Sequence, residues 1–402
     1  MTLISPQDAS ERPLVVKLLE RPQLMETIRR TIPDLDMAHL VPFLTTDLER
    51  DFAVQLGVPM YAADPRFFAF GTKSGCRRIF AEEGVRHPLG AENLRDKTEV
   101  AQAIAEMRAQ RPGIQKVIVK QNDGVSALGN VTVDLDDLPM SGGPEEMPAI
   151  EERLEGVQVA GGDGHDAAGY FREIASKGWI VEELISGSEC TSPSVQLRVT
   201  PLGEVEVLST HDQMLGGPSG QIYLGARFPA NPDYARQIAV EARKVGERFA
   251  REGIVGRFAL DFIAVRDGGG SWDCYAIEVN LRKGGTTHPF LTLQFLTGGK
   301  YSATRGVFKT AQGDPNHYVA TDALKSAAYK KLTPADLFDL VSEHRLHFDH
   351  TKHTGVVMHM ISGISTLGKI GFTAIEDSPE KAEELYQRFI KVLDEACGTS
   401  VS

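Results

Sequence analysis

Two stretches constrain this chain more than any other: Arg257-Phe258-Ala259-Leu260-Asp261-Phe262-Ile263-Ala264-Val265 and Tyr275-Ala276-Ile277-Glu278-Val279-Asn280-Leu281-Arg282. Each is an apolar run of strand length, and the turn Asp267-Gly268-Gly269-Gly270 makes the two neighbours in a hairpin. Each also carries an acid, Asp261 or Glu278, where an ionised group is expensive to bury unless something positive meets it. Side chains two apart on a strand share a face and stand about 7 Å from each other. Glu278 and Asn280 therefore point the same way, and Arg282 is next in that series. Two carboxylates and an amide carbonyl are hard oxygen donors, the set magnesium prefers when it keeps waters and bridges phosphate oxygens. The planar fork of Arg282 suits a phosphate oxygen or a developing acyl-phosphate charge. The competing reading is a structural Asp261–Arg282 ion pair with Glu278 at a wet sheet edge.

Charge narrows the classes of partner. Lys and Arg total 43 against 55 for Asp and Glu, a net charge of -12, which argues against nucleic acid or an anionic membrane as the main partner. The start, MTLISPQDASERPLVV, lacks a charged region followed by an apolar run, and no stretch reaches about 18 uninterrupted apolar residues. A cytoplasmic protein is expected. Cys76, Cys190, Cys274 and Cys397 are far apart in sequence, so reduced thiols are expected rather than a zinc site or a disulfide framework.

The pattern along the chain is α/β (α+β). Residues 1–72 read as a small N-terminal α/β layer, with apolar patches at 14–19 and 40–44 and a helix at 47–56 closed by Gly57 and Pro59. Helices are expected at 73–83 and 97–110, then a strand at 116–120 that ends in Lys120, a glycine-bounded turn (residues 121–130), and a strand at 131–135. The acidic, Gly- and Pro-rich stretch 136–164 carries no evident chemistry. A helix at 166–176 leads into Trp179-Ile180-Val181-Glu182-Glu183-Leu184-Ile185, then strands at 196–200 and 204–210, a glycine-rich loop (216–225) and an amphipathic helix at 234–251. Residues 316–402 read as a small appended C-terminal region, with helices at 334–342 and 379–393 and a strand at 355–360.

Two further elements carry chemistry. Lys120 leads into a loop bounded by Gly124 and Gly129, with Ser126 inside it; glycines there let backbone N–H groups approach anionic oxygens. The lysine precedes this loop and strands follow it, so it is not a P-loop, and an ordinary hairpin turn is the alternative. The strand ending in Glu182 and Glu183, followed by Leu184, offers backbone groups to an adenine edge, with Glu189 nearby for ribose hydroxyls; solvent-facing acids are the alternative.

In this order and spacing the three elements resemble the ATP-grasp superfamily, over roughly residues 73–299. The resemblance implies an ATP-grasp fold with units at 1–72, 73–181, 182–315 and 316–402. It also implies that Lys120 and the loop Gly124, Ser126 and Gly129 cover the phosphates, with Arg77 as the earlier basic ATP contact and Lys73 its rival. Glu182, Glu183 and Leu184 fall at the adenine hinge, Glu189 at the ribose acid, and Asp261, Glu278 and Asn280 at the magnesium ligands. Arg282 closes the family's E-x-N-x-R ending. More narrowly, GCRRIFAEEGVRHP (75–88), the segment 119–130 and IEVNLRKGGTTHP (277–289) resemble the pheganomycin-type branch of peptide ligases.

The implied activity is ATP-dependent ligation of a small carboxylic acid to the amine of an amino acid or peptide, through an acyl phosphate stabilised by Lys120 and Arg282. Magnesium and ATP are the implied cofactors, and the C-terminal extension is the surface on which a homodimer would form. Alternatives are a small-molecule phosphotransferase and a non-catalytic ATP-binding protein. Between His211 and Phe228 no lysine serves the terminal phosphate, which leaves Arg227 or His211 as substitutes. The position two before Asp261, an arginine in some dipeptide ligases, is Ala259, with Arg257 four before. The stretch 215–225 has the composition of a lid. Thr286, Thr287 and His288 are either substrate contacts or a capped turn. His344, His347, His350 and His353 recur every third residue, which suits surface histidines better than a metal site.

Overall fold

The computed structural model describes residues 2–123, 130–157, 178–217, 220 and 222–398. Gly124, Ser126 and Gly129, and the helix expected at 166–176, lie outside the described residues.

The first segment is helical, with α1 (Leu14–Leu19), α2 (Pro22–Thr31) and α3 (Asp47–Leu56) before a 3-10 turn at Pro65–Gly71. This corrects the expected α/β layer: among the described residues before 72, the strand-like pairing is a single bridge between Leu40 and Met60. The 14–19 patch coils into α1, and the 40–44 patch is broken by Pro42, which has no N–H to give a ladder. The ends of α3 follow local rules, a capping box of Thr46 with Glu49 and a left-handed Gly57 at φ +79°.

Next come α4 (Lys73–Glu82), β1 (Gly90–Leu94), α5 (Lys97–Gln110), β2 (Lys116–Gln121), β3 (Val131–Asp134), α6 (Glu146–Glu155) and β4 (Trp179–Glu183). The strands form an antiparallel sheet in the order β1-β4-β2-β3. Val100, Ile104 and Met107 of α5, with Ile150 and Leu154 of α6, pack on Val117, Val119, Val131 and Trp179 as one core.

A larger antiparallel sheet uses β5 (Glu189–Thr191), β6 (Pro193–Val199), β7 (Val205–Gly216), β8 (Ile222–Phe228), β9 (Gly256–Arg266) and β10 (Asp273–Asn280). Between β8 and β9 runs α7 (Pro232–Arg251), whose Ile238, Ala242, Val245 and Phe249 pack against Val195, Leu197, Phe258 and Leu260. After α8 (Thr287–Thr297) and the small hairpin β11 (Lys300–Ser302) with β12 (Val307–Lys309), β13 (His317–Lys325) pairs with β8. The C-terminal region thus extends the central sheet, through β13, β15 (Lys369–Glu376) and β14 (Gly355–His359), in that order. The helices α9 (Pro334–Glu343), α10 (Gly363–Leu367) and α11 (Pro379–Cys397) complete this part, and Leu337, Ile364 and Phe389 bury against Phe372.

The glycine-rich stretch expected as a lid loop is largely strand. β7 and β8 pair as the arms of a hairpin, and residues 218, 219 and 221 lie outside the described residues. Gly225 sits inside β8, where a Cβ would come within 2.2 Å of the Ala320 carbonyl oxygen. Glycine there admits the close approach of β13 rather than motion.

Candidate active site

The acids of the hairpin meet because its register shifts. Ala276 stands opposite Phe262, yet Glu278 stands opposite Asp261 and Asn280 opposite Ala259. One extra residue, Ile277, is therefore accommodated in β10 as a bulge. Without it, Ile277 would oppose Asp261 and Glu278 would lie on the other face. Asn280 Nδ2 donates to Asp261 Oδ2 and Gln213 Nε2 to Asp261 Oδ1, both at 2.8 Å. Ser194 of β6 stands opposite Asp261 on its other side. Gln213 and Ser194 escaped notice in the sequence; the signal available was Ser194, Gln196 and Arg198 alternating with the apolar Val195, Leu197 and Val199.

Burial and the facing Glu278 carboxylate push Asp261 up to about 7. Among the described residues it forms no ion pair with Arg282, whose Nη1 donates to the Lys283 carbonyl at 2.9 Å. This disfavours the structural ion pair. Asp261, Glu278 and Asn280 have the donor chemistry to hold a divalent cation, and the surplus negative charge between the two acids is what a cation relieves. A pH test follows. Because the folded protein holds the Asp261 proton more tightly than the unfolded chain does, this group lowers stability as pH rises from about 4 to about 7. The metal-free Asp261→Asn variant is expected to lose that decline by up to one proton's slope, read from urea unfolding at pH 5 and pH 8. A variant with the wild-type slope would remove Asp261 as its source.

Helix α4 brings a cation to these acids. Its N-terminus is tied to the residue after β2: the N–H groups of Lys73 and Ser74 donate to the Asn122 backbone and side-chain oxygens at 2.9 and 2.8 Å. One turn on, the fully buried Cys76 Sγ accepts from the Val279 N–H at 3.2 Å, between Glu278 and Asn280 in β10. Burial pushes this thiol up to about 12, so it is a packing group. So docked, α4 places Lys73 Nζ 3.4 Å from Glu278 Oε2. Of the two rival basic residues, Lys73 lies beside the hairpin acids and Arg77 does not.

Arg77 instead joins a buried triad. Its Nη1 donates to Glu182 Oε1 at 2.8 Å and to the Pro88 carbonyl at 3.1 Å, while Nε reaches Glu92 Oε2 at 3.1 Å. Lys120 Nζ donates to the other oxygen, Glu182 Oε2, at 2.7 Å. Burial opposes ionisation of Glu182, which is 1% exposed, but Lys120 and Arg77 outweigh it and hold the carboxyl below its ordinary range. The triad joins α4, β2 and β4, and so fixes where Lys120 stands.

The remaining predicted residues are placed as follows. The N–H groups of Glu183 and Leu184 donate to the carbonyls of Leu89 and Lys116, and the Glu183 carboxylate pairs with Arg111. Glu189 is gripped by Arg266 through two bonds of 2.7 and 2.8 Å at the far end of β9 from Asp261. The structure does not bring it to the triad. His211 is buried, bonded to the Tyr318 hydroxyl at 2.7 Å, and lowered to about 3 by burial, so it is a neutral core histidine rather than a phosphate cation. Arg227 is tied to Glu383 of α11 at 3.0 Å. Thr286 and Thr287 are buried against Gln196, and the Thr287 hydroxyl accepts from the Gly284 N–H at 3.1 Å, which is the capped turn.

Comparison with known proteins gives the family. Residues 67–146 and 166–303 match the family described as IQCH-like, ATP-grasp, and residues 336–389 match the PGM1 C-terminal domain. L-propargylglycine–L-glutamate ligase of Streptantibioticus cattleyicolor is 31% identical over 394 residues, which cover 95% of this chain and 76% of the relative. IQ motif-containing protein H of Danio rerio is 24% identical over 299 residues, 66% of this chain and 28% of that protein. Among solved structures, biotin carboxylase of Campylobacter jejuni in an ATP complex superposes with a TM-score of 0.60 at 13% identity, covering 94% of this chain and 77% of that one. L-amino acid ligase of Bacillus licheniformis superposes with a TM-score of 0.52 at 16% identity, covering 93% and 84%. The family match spans more than half of the chain and the ligase relative nearly all of it, and the chain belongs to the ATP-grasp family of ATP-dependent ligases.

Proposed function

We propose that this protein joins a small carboxylic acid to the amino group of an amino acid or peptide, using ATP to convert the carboxylate to an acyl phosphate and releasing ADP and phosphate. The observation that carries this reading is the bulge that sets Glu278 opposite Asp261, with Asn280 on the same face and Arg282 in the turn that follows the strand, its N–H donating to the Asn280 carbonyl at 2.7 Å. In this reading Asp261, Glu278 and Asn280 would hold magnesium, which would supply positive charge against the phosphates. The nucleotide lies between the units 73–181 and 182–315, with adenine at Glu182, Glu183 and Leu184 and the phosphates toward Lys120. Lys120 and Lys73 are the phosphate cations, and Arg77 acts through Glu182 as a positioning residue. Glu189 reaches a ribose only by leaving Arg266.

A carboxylate is a poor electrophile because its charge repels an amine and its oxygen leaves badly. Phosphorylation removes both obstacles. Arg282 and Lys120 stabilise the charge on the oxygens during transfer, since this chemistry is chiefly positioning and electrostatics. The amine then attacks the acyl carbon, the carbon–oxygen bond to phosphate breaks, and the amine proton passes to solvent. The test is incubation with ATP and pairs drawn from amino acids, dipeptides and aryl carboxylates, with mass spectrometry of the products. ADP together with an amide one water lighter than its two precursors is expected. A stable phosphoester, or ATP binding with no turnover across the panel, overturns the reading.

A further inference from the structure

Beside the hairpin acids lies a second, purely basic cleft. The residues Phe43 and Tyr61 from the N-terminal segment and Arg257, Leu281, Arg282 and Lys283 line it, a narrow slot with about 10 Å³ of interior space, room for one water-sized polar group at its base. None of its lining residues is acidic. Arg257, Ala259 and Asp261 share a face of β9, so the cleft opens on the same side of the sheet as the acids, about 13 Å along the strand.

Among the described residues, neither Arg257 nor Lys283 forms an ion pair within 4 Å. Among the described residues the buried Arg257 Nη1 has no hydrogen-bond partner, a costly state for a cation. Arg198 stands opposite Arg257 and takes the nearby Glu206 for itself at 2.6 Å. Burial, then Arg198, holds Arg257 below its ordinary range; burial, then Arg257, does the same to Lys283. The wall is fixed, with the Lys283 N–H donating to the Phe43 carbonyl at 3.2 Å and Lys283 Nζ reaching the Val41 carbonyl at 3.4 Å. A guanidinium fork with a lysine alongside matches a carboxylate, and the apolar faces of Phe43 and Leu281 suit the carbon chain that bears it.

We propose that Arg257 and Lys283, with Arg282 between them and the acids, seat a spectator carboxylate: one that a substrate carries at a distance from the carboxyl being activated. The proposal rests on the ligase reading above. Its ligand is either a dicarboxylic acid donor or an amino-acid acceptor with a free α-carboxylate.

The two sources separate by amidation. Wild type, Arg257→Gln, Arg257→Lys and Lys283→Gln, loaded with magnesium and a non-hydrolysable ATP analogue, are titrated calorimetrically with glutarate against its monoamide and with alanine against alaninamide. Wild type is expected to prefer the carboxylate form of one pair by about 10–100-fold, the range of a charge-assisted hydrogen bond. Arg257→Gln should abolish that preference, Arg257→Lys retain part of it, and Lys283→Gln weaken it. The pair that responds identifies the source. With the productive substrates, Arg257→Gln should raise the KM of that substrate by a similar factor and leave the KM for ATP within about twofold. No preference in wild type, an unchanged preference in Arg257→Gln, or a productive pair lacking any spare carboxylate overturns the proposal. If the preference holds but turnover yields no amide, the ligase reading fails and the seat stands.

Discussion

Glu278→Gln is expected to lower kcat by about 10³-fold or more while leaving the fold intact. The substitution keeps the size of the side chain and its place opposite Asp261, and removes one negative charge. That charge sits where magnesium is proposed to bind and where Lys73 Nζ lies 3.4 Å away. Losing it removes transition-state stabilisation of about 4 kcal/mol, the scale of one preorganised electrostatic partner. Stability should change by no more than about 1 kcal/mol, because losing the part-exposed pair with Lys73 is offset by relief of the repulsion between Glu278 and Asp261. The two effects are separated by ADP release with mass spectrometry of the amide on one side and urea unfolding on the other. A fully active variant would remove the hairpin acids from the mechanism. A binding signature accompanies the loss: without the facing charge, the Asp261 carboxyl should titrate lower than in wild type, since Glu278 is one of the two causes that raise it.

The hairpin was legible because two acids in apolar strands joined by a glycine turn break a strong rule of burial. Its geometry was only half legible. Alternation places Glu278 and Asn280 on a common face, but which residue opposes Asp261 depends on register, and the bulge at Ile277 has no signature in composition. The choice between Lys73 and Arg77 was not legible for a similar reason. They lie one turn apart on α4, and only the docking of Cys76 on Val279 decides which of them reaches the acids. Glu189 was read from its distance after the hinge, while the pairing of β5 with β9 delivers it to Arg266. The glycines near the expected lid were read as flexibility; Gly225 instead marks a close strand approach that needs β13, a strand distant in sequence. Each of these depends on a long-range partner that local pattern does not name.

The triad around Glu182 yields the largest expected change in stability. Glu182→Gln is nearly isosteric, so it leaves no cavity, and its cost is electrostatic. Arg77 would keep Glu92 and the Pro88 carbonyl, but Lys120 would lose its charged partner at 2.7 Å, and both cations are more than nine-tenths buried. Breaking a buried pair by removing one member costs about 3–5 kcal/mol, because the remaining charge stays desolvated. Glu189→Gln is the control: it weakens an exposed pair with Arg266 and should cost at most about 1 kcal/mol. The pH dependence fixes the cause. The folded-state Glu182 titrates below its ordinary range, so its contribution is complete above the ordinary carboxylate value and disappears as pH falls through the folded one. The gap between wild type and Glu182→Gln should therefore be full at pH 7 and shrink in acid, measured by urea unfolding across that span. A gap that persists unchanged in acid would mean that packing, not charge, holds the triad. Lys120 would then be placed by the sheet alone, and the proposed phosphate cation would owe nothing to Glu182.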